Sequence, residues 1–337
     1  MKTVTQILKN RLGASDDLYK AFIDSNKPVM FTHAGKFHAD EVYSTALLLI
    51  LYGWEVNYDL SGIVPNVLIT NNYYLKNIEF KPQSFINHFV KRIPRNELKD
   101  YLENKIPEDA IVYDIGNTIY DHHDASKAVY RDPHPHSNYA AFGLIFRELI
   151  EFEEANNKSV LGIDVKYLKK FDETFVMKID QQDNWGPVLF PNDRSFDITI
   201  MNADDIYSKE NDAKFAKAVV FAMQILQNHF DFMRKQTKLD AKVHKVIDEA
   251  NAKGVHKMFL YEYLPAKSFE LSSVYYVAFK GTDPSVSEWL LVSTNSSNHP
   301  IQGVTKGENG CKFIHASKFM ATFDSEEACR KALDLQQ

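Results

Sequence analysis

His33, His38 and Asp40 stand within eight residues of one another in the segment THAGKFHADE. Imidazole and carboxylate together suit Mn²⁺ and similar first-row divalent ions. The same three residues also fit a plainer role, as two surface histidines and an N-capping Asp. A second group is harder to read as plain surface. Asp114 follows the apolar run Ala110–Tyr113, and seven residues later come Asp121, His122, His123 and Asp124 in sequence. A carboxylate at the end of a buried strand must be paired, solvated or bound to a cation. A charged surface turn is the alternative. His134 and His136, flanked by prolines in RDPHPH, read as an exposed loop.

The segment FVMKIDQQDNWG supplies two further acids. Leu168, Phe171, Phe175 and Ile179 recur at i, i+3, i+7 and i+11 and form one helical stripe. At about 100° per residue, Asp183 falls about 60° from the centre of that stripe and Asp180 about 120°. Asp183 is therefore expected to look inward as a ligand, and Asp180 outward as a surface acid or supporting group. Three His and three or four Asp from separate segments suit two divalent ions about 3.5–4 Å apart, one carboxylate bridging them. Such a pair activates water and stabilises the leaving oxygen in hydrolysis of a phosphoester. His-rich sites without thiolate point to Mn²⁺ over structural zinc, with Mg²⁺ as the alternative ion.

These groups need a scaffold that brings loop ends together. Pro28–Phe31 reads as a buried strand, Asp40 begins a helix that stops at Gly53, and 54–60 reads as a second strand. Residues near 1–25 read as a short amphipathic helix, and 61–105 carries no motif. Ala110–Tyr113 is the next strand, followed by helices over about 138–155 and 164–184. This order predicts an α/β fold: a mainly parallel open sheet flanked by helices, with the site at the carboxyl ends of its strands. Helical periodicity returns over 211–253, read as two helices. Strands at 257–263, 273–280, 289–294 and 312–315 and a helix at 325–335 then form a smaller C-terminal α+β domain. The expected divisions are a metal-binding domain over 1–205, a helical connector over 206–254 and a substrate-binding domain over 255–337.

Bulk properties fit that picture. The 337 residues carry a net charge of −6, which argues against coating duplex nucleic acid by charge alone. Two cysteines, Cys311 and Cys329, exclude a thiolate zinc site and a disulfide framework. The N-terminus has no apolar signal region, and the longest apolar run, Ala46–Tyr52, is too short to span a bilayer. A cytoplasmic protein with no membrane partner is expected. The sequence leaves assembly into an oligomer open.

Taken together, HADE after a strand, then YDIG, then DHH, resemble the DHH phosphoesterase superfamily. THAGKFHADE, VYDIGNTIYDHHD, NYAAFGLIFREL, IDQQDNWG and GCKFIHASKF are similar, within it, to the melanocyte-proliferating-gene-one family of metal-dependent hydrolases. The matching segments run from residue 32 to 319. The resemblance implies that His33, His38 and Asp114 bind one ion, and that Asp40, a bridging Asp114, His122 and Asp183 bind the other. It implies that His123 orients water or phosphate, and that His315 and Ser317 contact substrate phosphate. The chain departs from the pattern at Ala39, where Cys is common, at Trp185, inserted before Gly186, and in lacking a GGGH segment.

The superfamily includes exonucleases, oligoribonucleases, cyclic-dinucleotide phosphodiesterases and pyrophosphatases, and the closer family is associated with 3′-to-5′ RNA exonuclease activity. The function so implied is a Mn²⁺-dependent exonuclease or phosphodiesterase on short or single-stranded RNA or DNA, bound between the two domains. Trp185 could stack on a base, although packing under the helix end explains it as well. The competing readings are a pyrophosphatase or nucleotide phosphatase with the same metals, and a non-catalytic metal- or nucleotide-binding protein.

Overall fold

The computed structural model describes the chain except for residues 13–27, 60–65, 72–74, 81–85, 87, 125, 127, 133–135, 157–158, 190–197, 283–287 and 337. It is a mixed α/β protein in two compact units, Met1–Arg234 and Lys235–Gln337.

In the first unit, α1 (Val4–Leu12) covers part of the expected N-terminal helix, the rest of which lies outside the described residues. Strand β1 (Met30–His33) is followed by α2 (Ala39–Leu51), all 13 residues of which are buried. A helix this apolar on every side belongs in a core, and its Leu47–Leu51 stretch fills that place. Its buried first turn, by contrast, carries Asp40 and Glu41.

The segment expected to add a second strand to the parallel sheet does otherwise. Strand β2 (Glu55–Asp59) pairs antiparallel with β3 (Asn66–Asn71), and β3 pairs antiparallel with β4 (Leu75–Phe80), forming a separate three-stranded sheet. Only a few residues join β2 to β3, enough for a hairpin but too few for the crossover that parallel neighbours need. The parallel partner comes instead from the stretch without motifs. Strand β5 (Val90–Ile93) lies beside β1, and β6 (Ile111–Val112) lies on its other side, giving the order β5-β1-β6, all parallel. Met30 faces Val90 on one side and Ile111 on the other. All three strands therefore end at the same edge, where His33, Arg95 and Asp114 follow in turn.

The flanking helices are α3 (Ala141–Asn156), α4 (Val165–Phe171) and α5 (Met177–Leu189). Ala141, Ile145, Phe146 and Leu149 are fully buried on the expected inner face of α3. Between α4 and α5 the backbone takes a π-helical turn at Asp172–Val176. At Gly186 (φ 36°, ψ −119°) it leaves helical geometry.

The region read as two helices is one, α6 (Lys209–Lys253). It contains neither proline nor glycine to interrupt it. Phe215, Met223 and Phe230 lie in the core of the first unit, and Val243 and Ala250 in a core of the second. Its residues thus belong to both units instead of forming a separate connector over 206–254.

The second unit holds β7 (Lys257–Phe259), β8 (Tyr276–Lys280), β9 (Trp289–Ser293), β10 (Cys311–Ile314), β11 (Met320–Phe323) and α7 (Glu326–Asp334). The strands form one mixed sheet, in the order β10-β11-β9-β8-β7, with β7 and β8 parallel and the other neighbours antiparallel. Strand β11 is an addition to the expected set, and Ser325 caps α7 by accepting the Ala328 N–H. Among the described residues no helix is long and apolar enough to cross a membrane.

Candidate metal centre

Three local devices deliver the His and acid side chains that could hold a metal. The first is the loop from β1 to α2. Its carbonyl at Gly35 accepts from the Arg92 guanidinium at 2.7 Å and from the Asn211 amide at 2.8 Å. Asn202 accepts the Phe37 N–H at 3.0 Å and donates to the Phe37 carbonyl at 2.9 Å. So braced, the chain enters α2 with His38 extended at the N-cap, and the Glu41 carboxylate accepts the His38 N–H at 3.1 Å. Acidic groups in a first helical turn are favoured by the helix dipole. That alone does not explain burying them.

The second device is the turn after β6. Asp114 adopts φ 59° and donates its N–H to the Tyr120 carbonyl at 2.8 Å, which closes the turn and aims the carboxylate inward. Left-handed backbone at a residue other than glycine is uncommon, and such strain concentrates at functional sites. Beyond it, the Asp121 carboxylate accepts the Asn117 N–H and the His123 N–H at 2.6 and 3.2 Å.

The third device is the π turn before α5. One extra residue in a helical turn rotates everything after it by about 100°. Asp183 then moves to about 40° on the other side of the apolar stripe, still inward, while Asp180 swings to about 20° from its centre. The expected outward Asp180 is thus corrected: it is fully buried, accepting from the Gly143 N–H at 3.0 Å and paired with Arg131 at 2.5 Å. Arg131 also grips Asp172 with two hydrogen bonds of 2.9 Å and lies over the Tyr139 ring. Gly143 has to lack a side chain, because a Cβ there would sit 1.9 Å from Asp180 Oδ2.

These devices bring His33, His38, Asp40, Asp114, His122, His123 and Asp183 together. His33 Nε2 lies 3.1 Å from Asp114 Oδ2, and His122 Nε2 lies 2.9 Å from Asp183 Oδ2. His122 and His123 each approach Asp114 Oδ1 at 3.7 Å, and His38 approaches Asp183 at 3.8 Å. Possible ligand atoms lie within 4.8 Å of one another in four sets: Asp114 with Asp121, His122 and His123; His33 with His38 and Glu41; His38 with Asp40 and Asp183; and Asp40 with Glu41 and Asp114.

Glu41 is a member that sequence reasoning missed. It is fully buried, with its Oε2 3.0 Å from His33 Nε2. Its position one residue after Asp40 is the available signal, although an acid there also suits a helix start.

The site is short of hydrogen-bond donors. Among the described residues, no group donates a hydrogen bond to either oxygen of Asp40, to Glu41 Oε1, to Asp114 Oδ1 or to His122 Nδ1, all of them buried. Burial, then the charges of Asp114, Asp183 and Glu41, hold the Asp40 carboxyl well above the usual range. Burial likewise pushes Asp114 up to about 6, against the opposing pull of His33. His33 is raised because Glu41 and Asp114 outweigh its burial, and His122 because Asp183 does the same. Asp183 is lowered, its burial outweighed by His122. An unpaired buried carboxylate is costly, and a divalent cation is a natural partner for several at once. The donor set, mixed imidazole and carboxylate without thiolate, fits such ions.

His315 and Ser317 belong to the second unit, exposed, with His315 Nδ1 2.9 Å from Ser317 Oγ. His136 meets the Trp185 ring edge-on at 4.2 Å, and Trp185 donates to Asn138 at 2.7 Å, so this indole is held by packing. His134 lies outside the described residues. No family profile, characterised protein or solved structure matches the chain.

The titrations set a sign for stability without metal. A group whose pKa is raised on folding loses stability as pH climbs from its unfolded to its folded value. For Asp114 that interval runs from about 3.9 to about 6. Asp40 is shifted in the same direction from the same starting point, while His33 and His122 act above about 6.5. Asp183 has the opposite sign but acts below its ordinary range. The EDTA-treated protein should therefore melt at a lower temperature at pH 8 than at pH 5, and divalent metal should narrow the gap. A midpoint that rises from pH 5 to pH 8 contradicts this.

Proposed function

We propose that the chain is a Mn²⁺-dependent phosphoester hydrolase of the DHH phosphoesterase type. Its substrate is short or single-stranded nucleic acid, cleaved in the manner of an exonuclease or phosphodiesterase. The observation that carries this reading is the cluster of buried carboxylate and imidazole atoms without donors, collected at one edge of a parallel sheet. In open α/β sheets, ligands bind at that edge.

His33, His38 and Asp114 would hold one ion, and Asp40, Asp114, His122 and Asp183 the other. Bound there, two divalent ions supply Lewis acidity and a water acidic enough to attack at neutral pH. The chain's own part is orientation. His33 Nδ1 lies 3.2 Å from the Ala34 carbonyl, and donation there leaves Nε2 as the ligating atom. The buried Nδ1 of His122 is without a partner and faces Asp114. His123, more than half exposed and stacked on His122, has Nδ1 2.6 Å from Asp121, which turns Nε2 outward to meet a scissile phosphate.

The test is Mn²⁺-dependent turnover of end-labelled RNA and DNA oligomers, cyclic dinucleotides and pyrophosphate. Short single-stranded RNA should be hydrolysed, and Asp114→Ala should lose about 10³-fold or more, as when a transition-state-stabilising group is removed. Activity surviving in Asp114→Ala would sink the site, and turnover of pyrophosphate alone would select the pyrophosphatase reading.

A further inference from the structure

The edge that holds the carboxylates also opens into a cavity of about 680 Å³, all of its lining within the first unit. His33, Asp114 and His123 form one wall. Lys36 and Arg95 line it as well, and among the described residues neither side chain has an ion-pair partner. Both are solvent-exposed on the lining, so their charges are open to an anionic group that enters the cavity. Their positions follow from the topology. Arg95 comes two residues after β5, just as Asp114 comes two residues after β6, and Lys36 sits in the braced loop after β1.

Tyr207 completes the cavity. Its side chain is 63% exposed, and its ring lies against Gly35, where a Cβ would come within 3.3 Å of the ring. Gly35 itself adopts φ 103°, a conformation that side-chain-bearing residues rarely take. The ring is thus supported by the loop that carries Lys36 and is open to the cavity. An aromatic ring so placed stacks on a base of any sequence, while Arg and Lys meet phosphate oxygens.

We infer that this cavity is a nucleoside-monophosphate subsite, in which Arg95 and Lys36 bind the phosphate and Tyr207 stacks on the base. The inference rests on the phosphoester-hydrolase reading and assigns the residues that would hold the nucleotide beside the reacting bond. Arg95 provides the planar fork for two phosphate oxygens, and Lys36 a single flexible charge. The subsite also explains how a chain of net charge −6 could admit a polyanion: positive charge is needed only locally.

Calorimetric titration of the full chain with AMP, adenosine and inorganic phosphate, with and without Mn²⁺, tests it. AMP should bind at least about tenfold tighter than either fragment. Arg95→Ala should weaken AMP and phosphate about tenfold while leaving adenosine unchanged. Tyr207→Ala should weaken AMP and adenosine by a similar factor and spare phosphate, with Tyr207→Phe restoring both. Wild-type AMP affinity in Arg95→Ala or Tyr207→Ala, or equal losses for all three ligands, would overturn the subsite. Mn²⁺ uptake and oligomer hydrolysis, measured on the same variants, separate the two failures. If both persist while the ligand pattern is absent, only the subsite falls. If neither occurs but the pattern holds, only the hydrolase reading falls.

Discussion

Replacing Asp40 by Asn is expected to raise the melting temperature of the metal-free protein and to remove most of the further rise that Mn²⁺ produces. The two effects have one cause. Asp40 is fully buried, and among the described residues no group donates a hydrogen bond to either of its oxygens. Its neighbours within ligating distance are Asp183 and His38 on one side and Glu41 and Asp114 on the other. Without metal, burial and then those charges raise its pKa and disfavour the ionised form, at a cost to folding as pH rises. The amide carries no charge and adds a donor for Asp114 or Asp183. On the proposed reading the same carboxylate would be a metal ligand, which an amide replaces poorly. Loss of an outer-shell partner of a metal already costs about 10–100-fold in affinity, so loss of a ligand should cost at least about 100-fold. Melting curves in EDTA and in excess Mn²⁺ decide the point. A variant less stable than wild type in EDTA, yet equally stabilised by Mn²⁺, would show that Asp40 is a structural acid.

The second large effect concerns Arg131. Arg131→Leu should destabilise the first unit by about 3–5 kcal/mol, the usual consequence of removing one partner from a buried charge network. Arg131 holds both Asp172 and Asp180, and its side chain is itself buried. Asp180 already stands near 7 because its burial outweighs the Arg131 charge, so without that charge it rises further and stays protonated at neutral pH. The deficit should accordingly be smaller at pH 5 than at pH 8, since a raised folded pKa favours the folded state as pH falls. Asp180 precedes Asp183 by three residues on α5, so Mn²⁺ affinity should drop about tenfold as that segment loosens. Arg131→Lys keeps the charge without the two-pronged grip and should fall between. Denaturation at the two pH values and Mn²⁺ titration measure both consequences. An Arg131→Leu protein with wild-type stability would mean that the triad is incidental.

The grouping of His33, His38 and Asp40 with Asp114, His122 and His123 is legible because these residues lie in two segments that run on from the ends of β1 and β6, and such strand ends are written locally. THAGKFHADE and the Asp114-to-His123 segment each carry their own geometry, and the structure collects their side chains at one edge. What escaped depended on less local features. A helical wheel puts Asp180 on the wrong face because it assumes 3.6 residues per turn, and the π turn at Asp172–Val176 breaks that assumption. Glu41 was overlooked because an acid at a helix start has an ordinary explanation in the dipole. Arg95 was invisible because β5 is only four residues long and alternates poorly, with Val90, Arg92 and Ile93 all buried. The pairing of β2 with β3 in place of β1 is a matter of connection length and register, which a run of β-forming residues does not encode.

The central claim, that the buried acids and imidazoles form a site for two ions, is tested most directly by counting them. Equilibrium dialysis of the EDTA-treated chain against Mn²⁺ should give two ions per chain. Its electron paramagnetic resonance spectrum should show the spin coupling expected of ions about 3.5–4 Å apart, and Asp114→Ala should lose that coupling. Uptake of no ion, or only the six-line spectrum of isolated Mn²⁺ at saturation, would contradict the account.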